Sequence, residues 1–195
     1  MQAVAVNCPH CGAPASIDDR ECAYCHSPIL VTSFAGVGGM DVASLNKHIA
    51  VYRSALSTAP ADSRLNLAMA FCYLQLKMYD KALSAFEKAM EENFSNSEAF
   101  FYAAVCLLNG KKAFLAKREV INKVEEYINV AQAIENRGIY AYFHAYVKYD
   151  YFKRKCLVTE PDYNVLLAEA RRLGVTEHDI GVLYGLLNTD RPHEL

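Results

Sequence analysis

Four of the seven cysteines in this chain lie close together near the amino terminus, in two C-x-x-C pairs. They fall in the segment "CPHCGAPASIDDRECAYCHSP", with Cys8 and Cys11 separated by ten residues from Cys22 and Cys25. Each pair delivers two thiolates from one tight turn, and four soft sulfur ligands suit the tetrahedral coordination of zinc. The spacing therefore indicates a metal site built from four cysteines.

Two other kinds of chemistry use cysteines at such spacing: a pair of disulfides and a redox centre. An odd total of seven cysteines argues against a complete disulfide framework. The dipeptide motif "CPHC" also matches thioredoxin-like oxidoreductases, but there it opens a long helix, whereas Gly12, Ala13 and Pro14 follow here. Iron in a rubredoxin-like site is an alternative to zinc, because both ions accept four sulfurs in a tetrahedron. His10 or His26 could also replace one thiolate.

The residues after each pair agree with two metal-binding knuckles. Gly12 follows the first pair and permits the positive φ that brings backbone N–H groups close to the sulfurs, and His26 has the same place after the second pair. This arrangement resembles the zinc-ribbon family over residues 1–32. The resemblance implies that one zinc ion is bound by Cys8, Cys11, Cys22 and Cys25. Four protein ligands leave no coordination position for water, so the zinc is expected to be structural.

The composition excludes several classes of protein. The 195 residues are 53% hydrophobic and 22% charged, with a net charge of -2, which gives no general attraction to nucleic acid or anionic membranes. The first residues, "MQAVAVN", show no secretory signal. The longest apolar run, "AFFYAAVCLL", is too short for a membrane span, which needs about 20 residues. We expect a cytoplasmic protein without a membrane span, because thiols stay reduced in the cytosol.

The remainder of the chain divides into a short connection and a long helical region. Three glycines in residues 31–40, "VTSFAGVGGM", indicate a flexible linker or hinge. The predicted domains are a zinc ribbon at 1–32, a Gly-rich linker at 33–40 and a helical-repeat domain at 41–195. Asp41 is expected to cap a first helix that continues to about Leu56.

Residues recur at intervals of 34 in the helical region, as in the pairs Tyr52 with Phe86 and Cys72 with Cys106. The clearest unit, residues 63–96, resembles the tetratricopeptide repeat (TPR) family. The match is carried by small and aromatic positions of two antiparallel helices: Met69, Ala70, Tyr73, Ala82, Phe86 and Ala89. Asn66 and Phe94 depart from the family pattern, which usually has an aromatic residue and a proline there. The resemblance implies helical hairpins whose groove binds peptides or helices of another protein.

Weaker hairpins are expected on both sides of this unit. A shifted helix containing Val124, Ile128 and Ala131 follows an insertion around "NGKKAFLAKRE", and a further pair is expected at 139–154 and 162–173. Thr176 and Asp179 form the pattern of a capping box at the start of a terminal helix. The predicted fold class is mainly α: an α–α superhelix of TPR-like helical hairpins with a small N-terminal zinc ribbon.

The segment "IYAYFHAYVKYDYFKRK" spreads aromatic side chains over more than one helix face. Either this helix is sandwiched between neighbours, or part of its aromatic surface contacts a partner. Tyr142, Tyr146 and Tyr149 share one face and are the candidate partner-binding residues.

No nucleophile–base pair, phosphate-binding loop or paired-carboxylate motif stands out, so we expect no enzyme activity. The leading hypothesis is an adaptor or scaffold that binds another protein through its helical repeats. The alternative is a nucleic-acid-associated zinc-ribbon protein, although Arg20 and Tyr24 are offset by Asp18, Asp19 and Glu21 in the ribbon. The sequence does not fix the oligomeric state.

Overall fold

The computed structural model describes residues 4–195 and divides into two compact units, Met1–Phe94 and Ser95–Leu195. Within the described residues the chain forms eight α-helices and one two-stranded sheet. The fold is mainly α, as the sequence predicts. The amino-terminal module and the first three helices share one unit.

The first unit begins with a small antiparallel hairpin and continues with three helices. Strand β1, Ala5–Asn7, pairs with β2, Pro14–Ser16, in a register that places Val6 opposite Ala15. The helices are α1, Val42–Leu56, α2, Ser63–Gln75, and α3, Tyr79–Glu92. The Asp41 side chain accepts a hydrogen bond from the Ser44 N–H at 2.7 Å, which satisfies one of the free donors at the start of α1.

Helices α2 and α3 form the hairpin that the repeat pattern predicts. Ala82 and Ala89 are buried and let the helices approach, while the rings of Phe71 and Phe86 meet edge to face with centroids 5.6 Å apart. Asn66, a departure from the family pattern, is also buried. Its side-chain amide donates to the carbonyls of Pro60 and Asp62, both at 3.0 Å, and so ties the preceding loop to α2.

The segment predicted as a flexible linker is an ordered part of the first unit. Phe34–Val37 forms a 3₁₀ turn in which Phe34 and Val37 are buried. The Phe34 ring packs edge to face on Phe71 of α2, with centroids 6.3 Å apart. The prediction of a flexible linker is therefore wrong, because burial of Phe34 and Val37 stabilises this segment by more than its loss of conformational entropy costs.

The second unit contains the other five helices: α4, Ser97–Leu107, α5, Arg118–Ile134, α6, Gly138–Val147, α7, Tyr163–Arg172, and α8, Glu177–Leu187. The shifted helix expected after the insertion is α5, and its buried stripe includes Val124, Ile128 and Ala131. The capping box is present at the start of α8, between Thr176 and Asp179. Helix α6 packs on α5, α7 and α8, and all of its residues except the half-buried Ile139 are buried.

Helix α6 continues into a less regular segment. Residues Lys148–Phe152 form a π-helical turn, and Lys153–Lys155 form a 3₁₀ turn. A second 3₁₀ turn, Ala113–Leu115, lies in the predicted insertion and packs against the π-helical turn. In the described part of the chain, every helix is too short or too polar to span a lipid bilayer.

Candidate metal centre

Two matching turns bring the four cysteines together. In the first turn the Gly12 N–H donates to the Cys8 carbonyl at 2.9 Å, and in the second the His26 N–H donates to the Cys22 carbonyl at the same distance. Gly12 has a φ of 79° and His26 a φ of 57°, so both turns close in the left-handed region. Glycine adopts this conformation freely, and histidine is one of the side chains that tolerate it.

The hydrogen bonds around the turns repeat as well. The Cys8 N–H donates to the Ala13 carbonyl at 2.8 Å, and the Cys22 N–H donates to the Ser27 carbonyl at 2.9 Å. The first turn lies between β1 and β2, and the second lies inside the isolated bridge between Glu21 and Pro28. Each C-x-x-C pair is therefore held at the end of a short antiparallel ribbon.

The spacing of the sulfurs fits one metal ion. The Sγ atoms of Cys8 and Cys25 are 3.6 Å apart, as are those of Cys11 and Cys22. All four sulfurs lie within 4.8 Å of one another. Four sulfurs placed tetrahedrally at about 2.3 Å from a zinc ion would be about 3.8 Å apart, whereas a disulfide would require about 2.05 Å. All seven cysteines are free, so the geometry supports a metal site and not a disulfide pair.

The four thiols influence one another's pKa values. The backbone N–H of Ser27 lowers the pKa of the Cys25 thiol to about 6, and the N–H of Tyr24 lowers the pKa of Cys22. The backbone at Ala13 acts in the same direction on Cys11, but the neighbouring Cys25 thiol and burial outweigh it and raise the pKa of Cys11 to about 12. The thiols compete for negative charge, and a divalent cation among them would remove that conflict.

Neither histidine of the knuckles belongs to this cluster. The group of side chains that could hold an ion consists of the four cysteines, while His10 and His26 are both exposed outside it. Cys8 and Cys22 are buried beneath the two turns. A closed set of four sulfurs suits a structural ion, since every tetrahedral position would be filled by protein.

The ribbon is attached to the helices through residues that the sequence pattern did not single out as functional. The Tyr52 hydroxyl, on α1, accepts from the Val31 N–H and donates to the Ile29 carbonyl, both at 3.1 Å. Ile29 is fully buried, and burial raises the pKa of Tyr52. Arg64, on α2, contacts Asp18 of the ribbon at 2.7 Å. The position of Tyr52 in the apolar stripe of α1 predicts its burial, but no local pattern reveals these distant partners.

The candidate partner-binding tyrosines do not form one exposed surface. Tyr142 and Tyr146 are 3% and 1% exposed, and both rings meet the Tyr184 ring edge to face. The prediction of a contact surface is wrong for these two residues. Neighbouring helices enclose α6, so that both tyrosines become core side chains. Tyr149 is half-buried against Tyr163, and its role in binding stays a prediction.

Comparison with known proteins supports the repeat resemblance. Residues 49–100 match the profile of the tetratricopeptide repeat family, a stretch that includes the α2–α3 hairpin and the first residues of α4. A search of curated proteins found no match to the chain. The chain therefore combines a TPR-like helical repeat with an N-terminal cluster of four cysteines that could hold a metal ion.

Proposed function

We propose that this protein is a non-enzymatic adaptor that binds another protein through its helical-repeat region. The observation that carries the proposal is the match of residues 49–100 to a repeat family whose members in general mediate protein interactions. Fold alone does not fix function, but hairpins of this kind offer side chains from successive helices to a peptide or helix.

In this proposal the cysteine cluster binds one structural Zn²⁺ through Cys8, Cys11, Cys22 and Cys25. The donor chemistry supports zinc, because borderline-soft ions prefer thiolates, and reduced thiols suit a cytoplasmic location. The ion would supply folding energy to a ribbon that is too small to bury a core of its own, on the order of 10 kcal/mol in zinc-finger peptides. The ribbon would then serve as an accessory contact module beside the repeat.

The metal assignment is tested on the purified full chain. Elemental analysis should find one zinc per chain, and Co²⁺ exchanged into the protein should show the visible d–d absorption of tetrahedral thiolate coordination. The variant Cys22→Ser/Cys25→Ser should lose both signals. A chain that folds without bound metal, or that contains stoichiometric iron instead, would contradict the assignment.

The adaptor role is tested by capture of partners with the tagged full chain, followed by purification of the candidate partner and measurement of a dissociation constant. We expect a saturable complex with one stoichiometry. If the folded, metal-loaded chain forms no such complex with any captured protein, the adaptor proposal fails.

Nucleic-acid binding by the ribbon has less support. Asp18, Asp19 and Glu21 are exposed beside Arg20, so the ribbon surface would repel phosphate. Binding of DNA or RNA that weakens steeply with salt, and that is lost in an Arg20→Glu variant, would favour this alternative over the adaptor.

A further inference from the structure

Two basic segments that are distant in sequence form one surface of the second unit. The segments are residues 111–118 and 153–158, and we refer to them together as the basic patch. The Phe114 N–H donates to the Asp150 carboxylate at 2.8 Å and thereby joins the first segment to the turn that precedes the second. The Phe114 ring then lies under two cations of the second segment, 4.7 Å from the Arg154 guanidinium and 5.1 Å from the Lys155 ammonium.

Two further contacts between cations and aromatic rings lie within the patch. The guanidinium of Arg118 lies 4.7 Å from the Phe152 ring centroid, and the Lys155 ammonium lies 3.8 Å from the Tyr151 ring centroid. Arg118 is further fixed by a 3.0 Å hydrogen bond from its Nε to Asn122. Cations held over aromatic rings are positioned with less freedom than side chains that extend into water.

The patch concentrates positive charge in a unit that is otherwise balanced. From residue 95 onward the chain has equal numbers of basic and acidic residues. The two segments nevertheless contribute seven cations, of which all but the half-buried Lys155 are exposed: Lys111, Lys112, Lys117, Arg118, Lys153, Arg154 and Lys155. The nearby Asp150 is buried and paired with Arg154. The exposed acids at the flanks of the two segments are Glu119 and Glu160, and Asp190 and Glu194 line a cavity together with Lys112 and Arg154, so cations outnumber acids in the patch.

Aliphatic side chains are exposed among these cations. Leu115 is 68% exposed in the first segment, and Val158 is 97% exposed in the second, next to the exposed Leu157. Exposed apolar side chains that are grouped beside fixed charges indicate a contact surface more often than isolated exposed apolar side chains do.

We propose that the basic patch binds an acidic segment of a partner protein in which Asp or Glu residues are interspersed with aliphatic residues. The inference rests on the proposed adaptor function and names the chemistry of its partner. Carboxylates would pair with the arginine and lysine heads, Arg118 and Arg154 offering planar forks that suit them. The partner's aliphatic side chains would cover Leu115 and Val158. The positive charge of the patch therefore favours a partner segment rich in carboxylates.

The same surface is less suited to nucleic acid. Binding of single strands uses exposed aromatic faces on which bases stack. Here Tyr151 and Phe152 are buried, and the half-buried Phe114 is covered by Arg154 and Lys155. A vesicle surface attracts cations diffusely and gains little from guanidinium groups held at fixed positions. These ligands are tested beside the peptide.

The test uses fluorescence anisotropy with the full chain and a labelled peptide in which a Leu follows each pair of Glu residues. The patch variant is Lys111→Glu/Lys117→Glu/Lys153→Glu, whose three lysines have exposed side chains. The matched control is Lys47→Glu/Lys88→Glu/Arg171→Glu, which makes the same change in net charge at exposed positions outside the patch. We expect the patch variant to lose affinity roughly tenfold or more, since three attractive contacts become repulsive, and the control to stay within about twofold of wild type.

A second variant keeps the test decisive if charge reversal disturbs folding. Lys111→Gln/Lys117→Gln/Lys153→Gln removes the charges without repulsion and should weaken binding roughly threefold while leaving the circular dichroism spectrum unchanged. The inference is overturned if the wild-type chain does not bind the peptide, if the control weakens binding as much as the patch variants, or if RNA or phosphatidylserine vesicles displace the peptide and bind more tightly.

Different results would contradict the basic-patch inference and the adaptor proposal. A partner captured by the wild-type chain and retained fully by the folded patch variant would overturn the basic patch alone and leave the adaptor role standing. Absence of any stoichiometric partner for the wild-type chain counts against the adaptor role and is independent of the peptide measurement.

Discussion

At the scale of single residues, the fold depends on a glycine at a position where no side chain fits. Gly138 begins α6 where the end of α7 passes closest. A Cβ placed there would lie 2.7 Å from the Val175 nitrogen and 2.9 Å from the Ala170 carbonyl oxygen, both of them backbone atoms that cannot rotate away. Glycine is required at this position by the close approach of two backbones.

We therefore expect Gly138→Ala to destabilise the protein by about 1–3 kcal/mol, the usual cost of overpacking. Gly181→Ala is the matched control, because Gly181 lies within α8 and a Cβ there would meet no atom within 4 Å. That control should be neutral or stabilise by up to about 1 kcal/mol through helix propensity. Urea denaturation followed by circular dichroism measures both, and equal effects of the two substitutions would contradict the account.

The residue scale is also where sequence reasoning succeeded most fully. The Asp41 cap and the capping box of Thr176 and Asp179 are local patterns, and both are found as predicted. The four cysteines cluster as their spacing predicts, and their role as metal ligands stays a prediction. For Tyr142 and Tyr146 the sequence leaves burial and partner contact open, because the neighbours of a helix are not encoded in the helix itself, and the structure buries both side chains.

At the scale of elements, α5 and α6 are joined by a buried polar cluster that no motif announces. Lys148, 5% exposed, pairs with Glu125 of α5 and donates to Thr159 at 2.8 Å. His144 lies 3.4 Å from the same carboxylate. Burial alone would raise the pKa of Glu125, but hydrogen bonds from His144 and Lys148 hold it below its usual value. The sequence shows these residues singly, and only the packing of α5 on α6 brings them together.

Removal of Lys148 should show how much its charge contributes to the free energy of unfolding. We expect Lys148→Met to cost about 2 kcal/mol at neutral pH, less than the roughly 3–5 kcal/mol for a fully enclosed pair, because the Glu125 side chain keeps some contact with water. In the wild type the depressed pKa of Glu125 contributes stability that is present above its unfolded pKa and is lost as the pH falls. The difference between variant and wild type should therefore begin to shrink as the pH falls through the ordinary glutamate pKa of about 4.3, and should vanish only below the depressed pKa of wild-type Glu125, where the carboxyl is protonated in both proteins.

Stability measured by urea denaturation at neutral and acidic pH checks this prediction. Lys123→Met is the control, since it breaks an exposed pair with Glu126 on the same helix and should cost less than about 0.5 kcal/mol at either pH. A cost for Lys148→Met that does not change with pH would mean that the lysine acts through packing of its stem and not through its charge.

Elements are also where the predicted boundaries were least reliable. The apolar period and the caps predict the helices, but the glycines of residues 33–40 predict a linker and outweigh Phe34 and Val37 in the sequence pattern. Those two side chains, three residues apart, are the available sign that the segment turns one face to a core. The convergence of residues 111–118 with 153–158 had no such sign, because it depends on contacts between distant turns.

At the scale of the whole molecule, the candidate metal site belongs to one of two units. The ribbon shares its interior with α1 and α2 through Tyr52, Ile29 and Phe34, while the second unit has a core of its own. Loss of the ion should therefore loosen the first unit selectively, since a ribbon without metal cannot hold the contacts that brace α1.

We predict that chelation of the metal raises hydrogen exchange at least tenfold in α1 and α2 and leaves α6 unchanged, as measured by mass spectrometry of the full chain. Return of zinc should restore the original rates. Protection of α1 that survives complete metal removal would show that the helices do not need the ribbon.

The loop after α3 marks where the two units meet along the chain. Phe94, 70% exposed, is the last residue of the first unit, and the Asn96 side chain caps α4 by accepting from the Ala99 N–H at 3.1 Å. The ring packing described above stays within each half: Phe71 contacts Phe86 in the first unit, and Tyr142 and Tyr146 contact Tyr184 in the second. We therefore expect the chain to tolerate insertion of a folded domain at this exposed loop, since the ring packing described in each unit would keep its contacts.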